Sequence, residues 1–235
     1  MTMRAVRVAA GTRAAVALGV GLAMAGGLAG CGASTKATSA TTSSTSTSTT
    51  TSAAAAPTTT LTGAQEAAIK PLLLTGSDFP SGWAQDTAKD AAGTKGTPSC
   101  VADLVLLKGS DVRSSVVFAV AGSSPSAVIQ TVGLFSPGKA TASAKTLKST
   151  FESCNGGTLS SGQVKATIGI KAISVGSTGD AGFAAQMILT EGAQSSYLDV
   201  LYAVKGSNGT FLGWSTTTAS TTWFAQLAAK AVAKL

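Results

Sequence analysis

The 235-residue sequence contains no histidine, and this absence removes several kinds of catalytic chemistry. Ser-His-Asp and Cys-His mechanisms both need an imidazole to take the proton of the nucleophile. The sequence also lacks a Gly-x-Ser-x-Gly elbow. Beyond the N-terminal segment it has no Walker phosphate loop and no Gly-x-Gly-x-x-Gly fingerprint. We therefore expect a protein that is not an enzyme, with no catalytic residues and no cofactor.

Charged and aromatic residues are scarce, at 11% and 5% of the chain. The ten acidic residues are scattered, mostly over predicted loops and element ends, so a catalytic carboxylate pair would have to be assembled by folding alone. The net charge is +7, and about +4 without the three arginines of the first 13 residues. No basic run with interleaved aromatic residues occurs, so we expect no nucleic-acid partner.

Long hydrophobic runs are also absent, and the N-terminal apolar stretch at residues 14–28 is too short and too weakly hydrophobic for a good membrane span. It follows three arginines and ends in the sequence Leu-Ala-Gly-Cys at residues 28–31. This order is typical of a bacterial lipoprotein signal with its lipobox. An ordinary secretory signal that happens to contain a cysteine is the alternative interpretation.

The lipoprotein interpretation makes residues 1–30 a signal peptide and Cys31 the lipidated first residue of the mature protein. Because each buried methylene contributes about 0.8 kcal/mol, two or three acyl chains (palmitate among them) hold a protein firmly on a membrane. We therefore predict an exported protein on the outer face of the cell membrane, anchored by its lipid. The membrane is then its first partner.

The segment at residues 31–60 continues from Cys31 as a run of Ser, Thr and Ala. Such a composition buries too little apolar surface to offset the entropy of ordering, so we predict a disordered stalk. A plain flexible linker and a stalk carrying O-glycans both fit this composition. Residues 61–235 are long enough for a single globular domain with a sizeable core.

Cys100 and Cys154 remain once Cys31 is lipidated. An exported compartment permits disulfides, and pairing is the simplest state for two such cysteines. The alternatives are two free thiols or a metal pair, but two cysteines without any histidine make a poor zinc site. We therefore predict a Cys100–Cys154 disulfide and no metal.

The domain combines strand and helix patterns. Ser136-Pro137 and apolar positions spaced four, three, four and three residues apart, from Ala140 to Cys154, predict a mid-chain helix, and residues 221–235 predict a C-terminal helix. Alternating or apolar runs typical of strands occur at residues 112–120, 128–135, 164–171, 183–190, 197–204 and 210–216. We predict an α+β fold, an antiparallel sheet of five or six strands with both helices covering one face.

Three residues are candidates for a ligand site. Asp199 interrupts a strand pattern, either as an exposed residue opposite a lysine or as a polar anchor in a ligand cleft. Trp83 lies in a turn-rich segment and Trp214 in a strand, while Trp223 begins the last helix. Tryptophans serve both cores and the walls of ligand clefts, and both interpretations of Trp83 and Trp214 stay open.

The chain resembles a known group of proteins in its order of features. A lipobox and a Ser/Thr stalk precede the sequence LLLTGSDFPSGW at residues 72–83, and then follow a cysteine, two strands, a helix ending in a cysteine, more strands and a helix. This order is similar to that of actinobacterial lipoproteins with a sensor-like domain, like the extracellular domain of mycobacterial PknH-type kinases. It also resembles a PsbP-like fold. Those kinase domains carry two disulfides, whereas this chain has cysteines for one.

The resemblance implies sensing or binding without naming a ligand. We expect a domain that binds a small molecule, a lipid or an envelope component in a cleft between sheet and helix. The alternative is a protein-interaction module that assists an envelope complex or a partner kinase. A large apolar pocket would favour the first, and an exposed apolar patch or bare sheet edge would favour the second.

Replacing the predicted acylation site tests the anchor. We expect Cys31→Ala to move the protein from the membrane fraction to the soluble fraction or culture medium, because no acyl chain is then attached. Fractionation followed by immunoblotting measures this, with Lys145→Ala as the control that keeps Cys31. A Cys31→Ala protein that stays in the membrane fraction would refute the lipid anchor.

Overall fold

The computed structural model describes residues 62–86, 98–120, 126–161 and 164–235. The predicted signal peptide, Cys31 and the Ser/Thr-rich stalk lie outside the described residues. In the described part no helix is long and apolar enough to cross a membrane.

Four helices and eight strands make up the described part of the chain. The helices are α1 (Gly63–Ile69), α2 (Ser99–Val105), α3 (Lys139–Glu152) and α4 (Thr222–Ala233). The strands are β1 (Trp83–Gln85), β2 (Val112–Val120), β3 (Ser126–Leu134), β4 (Thr158–Ser161), β5 (Val164–Ala172), β6 (Ala181–Glu191), β7 (Gln194–Lys205) and β8 (Asn208–Thr216). Two 3-10 turns, Lys70–Leu72 and Gly76–Asp78, separate α1 from β1.

All eight described strands form one antiparallel sheet in the order β1-β2-β3-β8-β7-β6-β5-β4. The α+β class is therefore confirmed, but the prediction of five or six strands is too low. The two additional strands, β1 and β4, have three and four residues and lie at the two edges of the sheet. Strands this short are too brief to show alternation in a sequence.

The helices cover opposite faces of the sheet, so the prediction of a single covered face is wrong. One core cluster joins α2 and α3 to alternate residues of β7, among them Val200 and Tyr202. A second cluster joins α4 to the intervening residues Leu201 and Ala203. Each of these four side chains is at most 1% exposed. A continuous apolar run, rather than alternation, is the mark of a strand buried on both faces.

Helix α3 forms as its apolar spacing predicts, with buried Ala140, Ala144, Leu147 and Phe151 on one stripe. Just beyond its end, Cys154 is bonded to Cys100 of α2, with 6.1 Å between their Cα atoms. The predicted disulfide is therefore confirmed. It ties the two helices of this face together across a separation of 54 residues.

Removal of the disulfide tests its share of the stability. A loop of this length gives about 4 kcal/mol in the chain-entropy account, so the Cys100→Ser/Cys154→Ser double variant should melt roughly 10 °C lower. Thermal unfolding followed by circular dichroism measures the shift. Wild-type protein with and without reductant is the control, and equal melting of all three samples would show that the bond adds no stability.

Candidate functional site

The α4 face of the sheet carries an aromatic cluster that contains all three tryptophans. Trp83 stacks on Trp223 with ring centroids 5.1 Å apart, and Trp214 meets Trp223 edge-on at 4.8 Å. Phe79 packs against Trp83 at 5.4 Å and against Phe118 at 4.2 Å. The structure therefore brings the two predicted tryptophans, Trp83 and Trp214, into contact with a third.

These rings are exposed to different degrees. Trp214 is only 9% exposed, and its Nε1 donates a hydrogen bond to Ser126 Oγ at 2.6 Å. Trp83 and Trp223 are half-buried, so part of each indole reaches the surface. Trp214 therefore belongs to the core, whereas Trp83 and Trp223 form its boundary with solvent.

A buried amide positions the segment that supplies Phe79 and Trp83. Gln130, in the middle of β3 and 0% exposed, accepts a hydrogen bond from Leu74 N at 2.6 Å. Its Nε2 donates to Leu72 O and to Thr210 Oγ1, each at 3.2 Å. Buried backbone groups need such partners, since an unpaired one costs about 1–3 kcal/mol. The chain before β1 is thereby fixed against the sheet.

Two lysines of α4 and its C-cap attach the next part of this segment to the helix. Lys230 Nζ donates to Asp78 O at 2.7 Å, while Lys234 Nζ lies 3.4 Å from Asp78 Oδ2 and donates to Leu73 O at 3.0 Å. Burial acts to raise the pKa of Asp78, but the hydrogen bond from Thr75 N and the Lys234 ammonium outweigh it. The pKa of Asp78 is therefore lowered, and the group is ionised at neutral pH.

A surface cleft of about 310 Å³ lies between this segment and α4. We call it the Trp223 cleft. Its lining residues are Asp78, Phe79, Pro80, Trp223, Gln226, Leu227 and Lys230. The cleft is open to solvent and combines an aromatic wall with a polar rim, as binding sites for small ligand groups do.

Asp199 does not line the Trp223 cleft. It is 0% exposed and lies opposite Trp214 in the register of β7 and β8, so the interpretation of an exposed residue opposite a lysine is wrong. Its Oδ1 accepts a hydrogen bond from Gln186 Nε2 at 2.8 Å, whereas Oδ2 has no partner among the described residues. Gln186 also donates to Ala219 O at 3.4 Å, in the loop before α4. Burial raises the pKa of Asp199 to about 6, although the hydrogen bond that Asp199 accepts from Gln186 acts to lower it.

A second surface lies on the same face of the sheet, beside the strands that α4 does not cover. Ile188 and Tyr197 form a half-buried cross-strand pair there, and the exposed Lys165 and Lys171 of β5 lie on the same side. Among the described residues of β5–β7 on this side, Asp199 is the one carboxylate, and it is buried. We call this surface the open strand face. It carries positive charge without an exposed acid.

Sequence reasoning placed Trp83 near this site but missed Phe79, Gln226 and Lys230. Trp223 was visible only as the start of a helix, and nothing local joins it to residue 83, which is 140 positions away. In the described part of the chain no group of three or more Cys, Asp or Glu side chains is arranged to hold a metal ion.

The comparisons with known proteins agree with this fold but leave the function undetermined. No family model and no curated protein matches the chain. Among solved structures, the extracellular domain of PknH from Mycobacterium tuberculosis superimposes with a TM-score of 0.50 at 18% sequence identity. The match covers 72% of this chain and 95% of that domain. At this identity the likeness shows a shared fold alone, which is the fold that the sequence resemblance implied.

Asp199 gives the folded protein a pH-dependent stability. Because its pKa is raised from 3.8 to about 6, the folded state holds this proton more tightly than the unfolded state does. The contribution of Asp199 to stability is therefore greatest below about pH 4 and is lost as the pH rises through 6. At pH 7 Asp199→Asn should stabilise the fold by roughly 2 to 3 kcal/mol, and the gain should vanish near pH 4.

Chemical unfolding at a series of pH values measures this difference. The exposed Glu152→Gln, on the opposite face of the sheet, is the control for the loss of one negative charge. A gain for Asp199→Asn that is the same at every pH would contradict the assignment to this carboxyl group.

Proposed function

We propose that the chain is an exported, lipid-anchored protein whose domain binds a component of the cell envelope at the Trp223 cleft. The signal pattern, Cys31 and the Ser/Thr-rich segment support export, anchoring and a stalk. The shared fold with an extracellular domain is consistent with this address. The observation that carries the proposal is the cleft, where the half-buried Trp223 lies beside polar groups on a fixed backbone.

The cleft is built in advance of any ligand. Gln130 fixes the backbone at Leu72 and Leu74, and Lys230 fixes it at Asp78. A preformed site spends less of its binding free energy on ordering side chains and loops. Its volume of about 310 Å³ is at the small end of ligand sites, which suits one unit of an envelope polymer or one headgroup.

A second candidate function is a protein-interaction module, and the open strand face favours it. A half-buried Ile188–Tyr197 pair beside two exposed lysines is suited to a partner with acidic groups. This candidate needs no cleft. It therefore predicts a different set of damaging substitutions.

Capture of envelope material distinguishes the two candidates. Full-length protein in detergent is mixed with envelope material from the producing cells, and the retained fraction is compared among variants. We expect Trp223→Ala and Gln226→Ala to reduce retention by about tenfold, since the first removes the aromatic wall and the second a polar rim group. Lys165→Glu/Lys171→Glu should retain as much as wild type.

The controls keep the experiment decisive. Gln226 is exposed, so its variant reports on binding even if Trp223→Ala lowers stability. Lys145→Ala on the exposed side of α3 is the matched control on the other face. Loss of retention in the double lysine variant, with none in Gln226→Ala, would overturn the cleft and support the interaction module.

A further inference from the structure

The properties of the Trp223 cleft also indicate which class of ligand it binds. Resting on the proposed function, we infer that the cleft binds an uncharged saccharide unit of an envelope polymer. Four properties of the cleft lead to this class: its aromatic wall, the internal partners of its charged groups, the hydrogen-bonding capacity of its rim, and its open form at small volume.

The aromatic wall offers a flat apolar surface held in a fixed plane. Trp223 packs against Trp83 and Trp214, with ring centroids 5.1 Å and 4.8 Å away, and the ring centroid of Phe79 lies 6.3 Å from it. An indole face is electron-rich, and it attracts the slightly positive C–H groups on the flat side of a sugar ring. Because neighbouring rings already hold Trp223 in place, little side-chain entropy is lost when a ring stacks on it.

Both charged side chains of the cleft lining already have partners within the protein. The lining contains one acid and one base, Asp78 and Lys230, and the ammonium of Lys230 is bonded to the backbone oxygen of Asp78. The carboxylate of Asp78 accepts a hydrogen bond from Thr75 N at 2.8 Å and is paired with Lys234. A cationic ligand would have to displace Lys234 from Asp78, and an anionic ligand would meet the Asp78 carboxylate beside the Lys230 ammonium. An uncharged ligand leaves these contacts intact and uses the hydrogen-bonding capacity that remains.

The hydrogen-bonding groups that remain available in the cleft are suited to hydroxyl groups. Gln226 presents both a donor and an acceptor at the exposed rim, and Lys230 retains further N–H donors beyond the one it gives to Asp78. Sugar hydroxyls donate and accept hydrogen bonds, so they satisfy both kinds of group. A lipid tail offers these exposed rim groups no hydrogen-bonding partner.

The open form of the cleft indicates that its ligand is one unit within a longer polymer. At about 310 Å³ it is small, and it is open rather than enclosed. An open cleft lets a polymer continue on either side of the bound unit. The predicted stalk places such a domain among envelope polymers, where a weak contact repeated along a polymer is sufficient for retention.

Periodate treatment tests the ligand class separately from the proposed function. Periodate cleaves the vicinal diols of saccharides and leaves acyl chains intact. Full-length protein in detergent is mixed with envelope material that is untreated, periodate-oxidised and then reduced, or treated with already quenched periodate. We expect oxidation to lower the retained fraction at least tenfold, with no loss from quenched periodate. Retention of untreated material should also change little as salt is raised, because the ligand is uncharged.

The outcomes separate the two claims. If oxidised material is still retained through Trp223 and Gln226, and neutral oligosaccharides do not quench tryptophan fluorescence, the proposed function stands and the saccharide inference is wrong. If untreated material is retained equally by wild type and Gln226→Ala, the proposed function itself fails. If retention depends on the cleft but falls steeply with salt, the ligand is ionic and the inference is likewise overturned. Saturable quenching of tryptophan fluorescence by neutral oligosaccharides, absent with Trp223→Ala, would confirm direct stacking.

Discussion

The side chain of Gln130 lies fully buried in the middle of the sheet, and its hydrogen bonds to Leu74, Leu72 and Thr210 hold the segment that precedes β1. This segment has little regular structure of its own, only two single 3-10 turns. Without the amide, Leu74 N–H and Leu72 C=O would be buried without partners, at about 1–3 kcal/mol each. Phe79 and Trp83 occupy their places because the backbone before them is fixed.

The two-sided sheet explains how a small domain supports such a cleft. Strand β7 is buried on both faces, by α2 and α3 on one side and by α4 on the other. The disulfide secures the first layer, which leaves the second layer free to carry a surface site. The second layer is divided between α4 and the segment before β1, and the Trp223 cleft lies along their boundary. A boundary between two packed pieces is a common place for a binding site.

The sequence predicted the elements with a strong local period and missed what depends on contacts across the fold. Helix α3 follows from its apolar stripe, and the six long strands follow from their patterns. Strands β1 and β4 exist because neighbouring strands provide hydrogen bonds, and three or four residues carry too little pattern to reveal this. The opposite placement of the helices was readable in principle, since β7 is apolar at consecutive positions.

At the candidate site, too, the sequence indicated single residues but not the contacts that folding makes between them. Trp83 was singled out as an aromatic residue in a turn, but its partner Trp223 is distant in sequence, and only the folded sheet brings them together. Asp199 was singled out because an acid inside a strand is unusual, and it is unusual in the structure as well. Its burial behind Trp214, away from the cleft, depends on the loop before α4 and on Gln186, which no local pattern indicates.

Amide hydrogen exchange at Leu74 tests most directly whether the cleft is preformed. Leu74 N–H donates a hydrogen bond to Gln130, although Leu74 lies in a segment between two 3-10 turns. We therefore expect this amide to exchange about as slowly as the amides of the central strand β7. A preformed cleft requires this protection. Exchange of Leu74 as fast as that of the exposed residues 217–220 would show that the segment opens freely, and would contradict a cleft built in advance of its ligand.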